Sequence, residues 1–223
     1  MTYLYLDIET IPAQTDEARQ IVAASVKPPA QMKKADTIAA WEKDQKSAAI
    51  DEAVARTSLN GAFGHICCVG FAFGEEPAQT VSWPLQHKDE AETLRYLATF
   101  LSTTNRVPTI VGHNVAGFDI RFLWQRAMVL GVRMPSWFPR DPKPWGNEVF
   151  DTMTAFAGAR EYISMDSLCA ALGIAGKGDV DGSMVGTMFA EGRHQEIADY
   201  CRSDVERTRS IHRKMLVALG EAA

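Results

Sequence analysis

The sequence predicts an α/β domain, and three observations carry that prediction. Residues 3–8 alternate like a strand with two unlike faces. Residues 66–74 (Ile-Cys-Cys-Val-Gly-Phe-Ala-Phe-Gly) form a continuous apolar run of buried-strand length. Residues 194–219 keep helical spacing over many turns. At 223 residues the chain fits one domain, or one domain with an insertion. A hydrophobic share of 46% supports an ordinary core and excludes a disordered or fibrous chain.

The strand at 3–8 is followed by an unusually long connection over residues 12–60. It holds Lys27, Lys33, Lys34, Lys43, Lys46 and Arg56 with acids interleaved, and much of 36–57 has helical potential. A path this long is commonly functional or mobile. A solvated helical insertion and a substrate clamp both fit it. The buried strand at 66–74 and a shorter one at 78–83 come next. Ala91, Leu94, Leu97, Ala98 and Leu101 share a helical face, which predicts a helix over 88–103. Residues 107–112 read as a strand, 117–130 as a helix, and a short strand ends near Asp151. Residues 134–147 are proline-rich and carry Trp137, Phe138, Arg140, Lys143 and Trp145. That composition fits a tract that stacks bases and holds phosphates, and equally a packed surface loop. Helices are predicted at about 164–172, 183–191 and 194–219.

Composition narrows the setting. The net charge of −5 argues against a generic basic nucleic-acid binder. It does not exclude a nuclease, because acids gathered around divalent cations account for part of the excess. Cys67, Cys68, Cys169 and Cys201 have no C-x-x-C spacing and sit in apolar surroundings, so reduced core thiols are expected rather than a zinc site. No apolar stretch approaches membrane-spanning length, and no basic segment with an apolar run precedes the first strand. A cytoplasmic protein without a membrane partner is expected.

Several acids fall where a plain core would want apolar side chains. On the first strand Tyr3, Tyr5, Asp7 and Glu9 share one face and Leu4, Leu6 and Ile8 the other. Two residues of strand rise put Asp7 and Glu9 roughly 6.5 Å apart. Carboxylates that close repel unless a cation lies between them or a pKa shifts. Asp119 opens a helix, where an acid complements the helix dipole. It also shares a face with Phe122, Leu123, Ala127 and Leu130, which tilts it toward the core. Tyr200 and Asp204 are four residues apart, so they project together from an apolar stripe that includes Ile197, Cys201, Val205 and Ile211. A Tyr–Asp hydrogen bond or an Asp–Arg pair is the bland reading of that pair. The combination is less bland: oxygen ligands on a strand and two helices select hard cations, Mg²⁺ or Mn²⁺, and point to phosphodiester hydrolysis.

On these residues the chain resembles the DEDD 3′–5′ exonucleases of the DnaQ-like superfamily. Asp7-Ile8-Glu9-Thr10 matches the first motif, D-x-E-T. Asn114 with Phe118-Asp119 matches the second. The third motif separates two branches. One has His five residues before the last Asp, a position held here by Asp199; the other has Tyr four before it, and Tyr200 fits. The chain is therefore similar to the tyrosine branch, DEDDy. Gly112-His113-Asn114 and the Tyr-Cys-x-x-Asp-Val run narrow the likeness to the exonuclease domain of family-B DNA polymerases, in particular stand-alone predicted exonucleases of that type. The resemblance covers nearly all of the chain outside 12–60.

The resemblance implies a ribonuclease-H-like mixed five-stranded sheet flanked by helices, as a single domain over 1–223 with a helical insertion at about 12–60. It implies two ions, Mg²⁺ or Mn²⁺. Asp7 would bridge them, Glu9 and Asp204 would complete the site for the attacking water, and Asp119 would reach the second ion. Tyrosine's ordinary pKa near 10 makes Tyr200 a poor base, so its implied role is to orient the water. The implied substrate is nucleic acid with a 3′ end, most directly single-stranded DNA, and the products are nucleoside 5′-monophosphates. Thr10, Ile11, Asn114 and Phe118 match substrate-binding positions. Short RNA is an alternative substrate, and a non-enzymatic domain that binds nucleic acid or a polymerase is an alternative function. Among the remaining polar residues, His113 is expected as a turn histidine bonded to backbone and Asp151 as a helix N-cap. Lys177 in Gly-Lys-Gly-Asp lacks the Walker spacing of a phosphate loop.

Overall fold

The alternation of Tyr3–Ile11 builds β1, the middle strand of a five-stranded sheet. The computed structural model describes every residue except Met1, Lys177, Asp179, Ala222 and Ala223, so Lys177 lies outside the described residues. The chain divides into two compact units, Met1–Glu9 with Ile66–Ala223, and Thr10–His65.

In the larger unit β2 (His65–Phe73) and β3 (Gln79–Ser82) pair antiparallel. β4 (Thr109–Gly112) and β5 (Val149–Asp151) extend the sheet on the other side of β1. β1 pairs parallel with β4, Leu4 opposite Ile110, and β4 parallel with β5, Gly112 opposite Asp151. The order β3-β2-β1-β4-β5 is thus the mixed sheet expected from the sequence. Because β1, β4 and β5 run the same way, their carboxyl ends open on one edge, where α/β sheets characteristically bind ligands.

Helices cover both faces. Leu4, Leu6 and Ile8 enter the main core with Leu94, Leu97 and Leu101 of α4 (Glu90–Ser102) and Ile120, Phe122 and Leu123 of α5 (Asp119–Leu130). Each fully buried leucine there contributes about 2 kcal/mol. A buried ion pair ties this layer together: Glu90 accepts from Ile66 N at 2.8 Å and from Arg126 Nη2 at 2.6 Å. The opposite face of β1 meets the last long helix of the chain. There Tyr5 and Val111 cluster with Val205. Gly70 on β2 permits that approach, because a Cβ there would stand 2.9 Å from both Cys201 Sγ and Val205 Cγ2.

Downstream of β5 come α6 (Thr152–Ala157), α7 (Met165–Leu172), α8 (Val185–Ala190) and α9 (His194–Leu219). The smaller unit holds α1 (Asp16–Ser25), α2 (Ala35–Asp44) and α3 (Lys46–Ala55), followed by a short 3₁₀ turn at Arg56–Leu59. The first, capped by the Thr15 side chain, precedes the stretch where the sequence pattern suggested helix. Thr57 accepts from Ala13 N at 2.7 Å and so closes this unit's two ends on each other. Among the described residues no helix is long and apolar enough to cross a membrane.

His212 of α9 is fully buried in a ring of aromatics, 4.6 Å from Tyr3 and 4.5 Å from Phe150 by ring centres, with Nδ1 3.0 Å from the Tyr5 hydroxyl. Burial lowers its pKa from 6.5 to about 4. A depressed folded pKa gives stability that is present above the unfolded pKa and lost as pH falls through the folded one. The thermal unfolding midpoint is therefore expected to fall between about pH 6.5 and pH 4, and His212→Phe to remove that part of the slope. A variant curve parallel to the wild type would exclude His212 as the cause.

Candidate active site

Strand geometry places Asp7 and Glu9 on the α9 side of β1. Glu9 is 6% exposed. Asp119, the first residue of α5, turns inward, and its Oδ1 accepts from Ile8 N at 3.0 Å. The peptide between the two β1 acids is thus tied to the third. From α9, Cys201 lies against the same spot, its Sγ 3.4 Å from Asp7 Oδ2. Donor atoms of Asp7, Glu9 and Cys201 all lie within 4.8 Å of one another. Tyr200 and Asp204, one turn apart on α9, are both buried, and Tyr200 donates its hydroxyl to Asp204.

The electrostatics follow from this crowding. Burial raises Asp7 well above the carboxylate range, and Asp204 and Asp119 push it further. Glu9 is raised the same way by burial, Asp7 and Asp204. Asp119 rises to about 8 through burial, although the Ile8 N–H bond pulls it down. Burial followed by the charges of Asp204, Glu9 and Asp7 pushes the Tyr200 hydroxyl far above 10. Tyr200 is therefore a hydroxyl at every physiological pH, fit to hold a water but not to deprotonate one. Burial also raises the Cys201 thiol above its ordinary value. Three buried acids and the half-buried Asp7, crowded so that they destabilise one another's charge, fit divalent cations, since an ion among them removes the repulsion and replaces lost hydration.

The residues expected from the resemblance to bind substrate have mixed surroundings. Asn114 takes the left-handed conformation, φ 61°, at the turn leaving β4, which asparagine tolerates better than most residues. Asp151 holds that turn: its carboxylate accepts from Asn114 N at 3.0 Å and Ala116 N at 3.1 Å, and also caps α6 through Met153 N and Thr154 N. The N-cap reading of Asp151 is correct but incomplete. The Asn114 side chain folds over Gly117, where a Cβ would stand 2.6 Å from its Oδ1. Phe118 packs its ring 5.5 Å from Phe122, directly before Asp119. His113 pairs with the Thr152 hydroxyl at 3.0 Å and donates Nε2–H to Ile163 O at 2.9 Å, so it is a structural turn histidine. Within the smaller unit Thr10 donates to Ser58 O at 2.7 Å, and Ile11 has no exposed surface. In the 134–147 segment Phe138 belongs to the core and Trp137 packs against it, whereas Trp145 is 70% exposed.

Both contacts weighed as the bland reading of the Tyr200–Asp204 pair are present: Tyr200 bonds Asp204, and the Asp–Arg pair is made with Arg207, three residues on along α9. The approach of Cys201 to Asp7 has no signal in the sequence beyond its place on the apolar stripe of α9.

The fold is thus a mixed α/β sheet with a group of acids gathered near the carboxyl edge of its parallel strands. Residues 58–222 match a family described as predicted 3′–5′ exonucleases related to the exonuclease domain of PolB, and the chain belongs to that family. Among solved structures it is similar to the family B DNA polymerase of the hyperthermophilic archaeon Pyrobaculum calidifontis. The TM-score is 0.59 at 14% identity, over 97% of this chain and 24% of the polymerase chain. This chain thus spans about a quarter of that polymerase's length, and the likeness concerns the fold, which is ribonuclease-H-like. No curated protein matches.

Proposed function

We propose that the chain is a divalent-metal-dependent 3′–5′ exonuclease that releases nucleoside 5′-monophosphates from single-stranded DNA. The observation that carries this reading is the convergence of buried acids from β1, α5 and α9 around Asp7, with Tyr200 hydrogen-bonded to Asp204. Family membership supports the reaction class and its polarity.

Asp7, Glu9, Asp119 and Asp204 would hold two ions, Mg²⁺ or Mn²⁺. Bound ions would supply an activated water and stabilise charge on the departing 3′ oxygen. The chain's own residues do the positioning. Tyr200 spends its proton on Asp204, which leaves its oxygen lone pairs to accept from the attacking water and fix its direction. Asp119, anchored on Ile8 N, keeps α5 and β1 in register at the reacting bond. Asn114 and Phe118 sit just ahead of Asp119, where the Phe118 ring can stack on a terminal base. We propose the whole as one exonuclease domain interrupted by an insertion. A reducing, cytoplasmic setting agrees with four buried cysteines, none of them in a disulfide.

The test is incubation with 5′-labelled single-stranded DNA and Mn²⁺, and with an RNA of matched sequence. The expected result is a ladder shortening from the 3′ end, with 5′-mononucleotides released and the reaction stopped by chelator. Faster shortening of the RNA would move the substrate to RNA, because the 2′-hydroxyl is the difference being read. Binding of either strand without mononucleotide release would replace the enzyme with a binding domain.

A further inference from the structure

Arg207 is 6% exposed, and its Nη2 pairs with the Asp204 carboxylate one turn earlier on α9. The guanidinium also stands 6.0 Å from the centre of the Tyr200 ring. Its Nε is buried without a hydrogen-bond partner. Beside it lies a cleft of about 250 Å³ lined by Tyr200, Ser203 and Arg207. Two acids on the cleft wall are already engaged, Asp199 by Arg202 and Glu196 by Arg193.

Arginine cannot shed its charge in a protein, so one buried here answers a standing negative charge. A buried pair seldom repays its own desolvation, so simple stabilisation is a poor reason for it. Its position suggests a better one. Asp204 cannot give its oxygens fully to a guanidinium and to a divalent ion at once. An Arg displaced by an ion would stay beside Tyr200 with a free planar fork, the geometry that grips phosphate oxygens.

Building on the exonuclease reading, we propose that Arg207 is a positioning residue that exchanges partners. It neutralises Asp204 in the metal-free chain, and when a divalent ion takes Asp204 it turns to a phosphate of the 3′-terminal nucleotide.

The experiment compares Arg207→Ala and Arg207→Lys with the wild type. Mn²⁺ affinity is measured by calorimetry without nucleic acid, and kcat and KM on single-stranded DNA at saturating Mn²⁺. Without a competing cation, Arg207→Ala is expected to bind Mn²⁺ about tenfold more tightly. Its kcat/KM is nevertheless expected to fall about 100-fold for want of the phosphate contact. Arg207→Lys keeps the charge but not the fork, so its Mn²⁺ affinity stays within about twofold of wild type while kcat/KM falls about tenfold. Opposite movement of metal affinity and activity in the alanine variant is a result that a purely structural ion pair does not produce. Unchanged Mn²⁺ affinity and unchanged kcat/KM in Arg207→Ala overturn the proposal. If the alanine variant does not fold, wild-type kcat/KM in Arg207→Lys overturns it. If the wild type neither binds Mn²⁺ nor releases mononucleotides, the exonuclease reading itself falls, and this proposal with it.

Discussion

Asp7→Asn should cut kcat/KM by at least about 10³-fold and remove measurable Mn²⁺ binding, since in the proposed mechanism several kcal/mol of metal-dependent stabilisation goes with this ligand. The same substitution should make the metal-free protein more stable at alkaline pH. Burial and the neighbouring Asp204 and Asp119 raise the Asp7 pKa well above its ordinary 3.8. A raised folded pKa gives stability that is fully present below the unfolded value and lost as pH rises through the folded one. Asparagine never ionises, so it avoids that loss. Thermal unfolding in chelator should show the two proteins converging near pH 4 and the variant ahead at higher pH. With Mn²⁺ added, the order should reverse, because only the wild type gains binding energy. Retained Mn²⁺ binding in the variant would remove Asp7 from the metal site. This trade of activity against metal-free stability is the usual signature of a site built for function.

Tyr200→Phe should leave Mn²⁺ affinity near the wild-type value and slow mononucleotide release by about 10²-fold, a normal loss for a misaligned attacking group. The ring stays, and with it the Arg207 guanidinium 6.0 Å from its centre; only the hydroxyl bonded to Asp204 is lost. The shape of the pH–rate profile should not change. Burial and the surrounding acids raise the Tyr200 pKa above its ordinary 10, so Tyr200 is expected to stay protonated through the neutral range where activity is measured. A fully active variant would rule out the water-orienting role. A lost alkaline limb would show instead that Tyr200 works as a base.

Much of the site was readable along the chain because two periodicities carry it. Period two put Asp7 and Glu9 on one face of β1, and helical spacing put Tyr200 and Asp204 together on α9. Asp119 was readable as the opener of α5, which it is. The 134–147 segment was ambiguous for a physical reason: composition does not tell which aromatic a loop buries. Folding sends Phe138 inward and leaves Trp145 in solvent. The buried Glu90–Arg126 pair was equally silent, since its members lie 36 residues apart and look like ordinary surface charges in isolation.

By itself, the sequence determined the strand and helix order and the local pairs Asp7 with Glu9 and Tyr200 with Asp204, because these depend on local spacing, and its motifs carried the family resemblance. Tertiary structure alone decided how those acids are held. The N–H of Ile8 anchors Asp119, Gly70 lets α9 close on the sheet, Asp151 latches the Asn114 turn, and Arg207 answers Asp204. Most of these contacts join residues far apart in the chain.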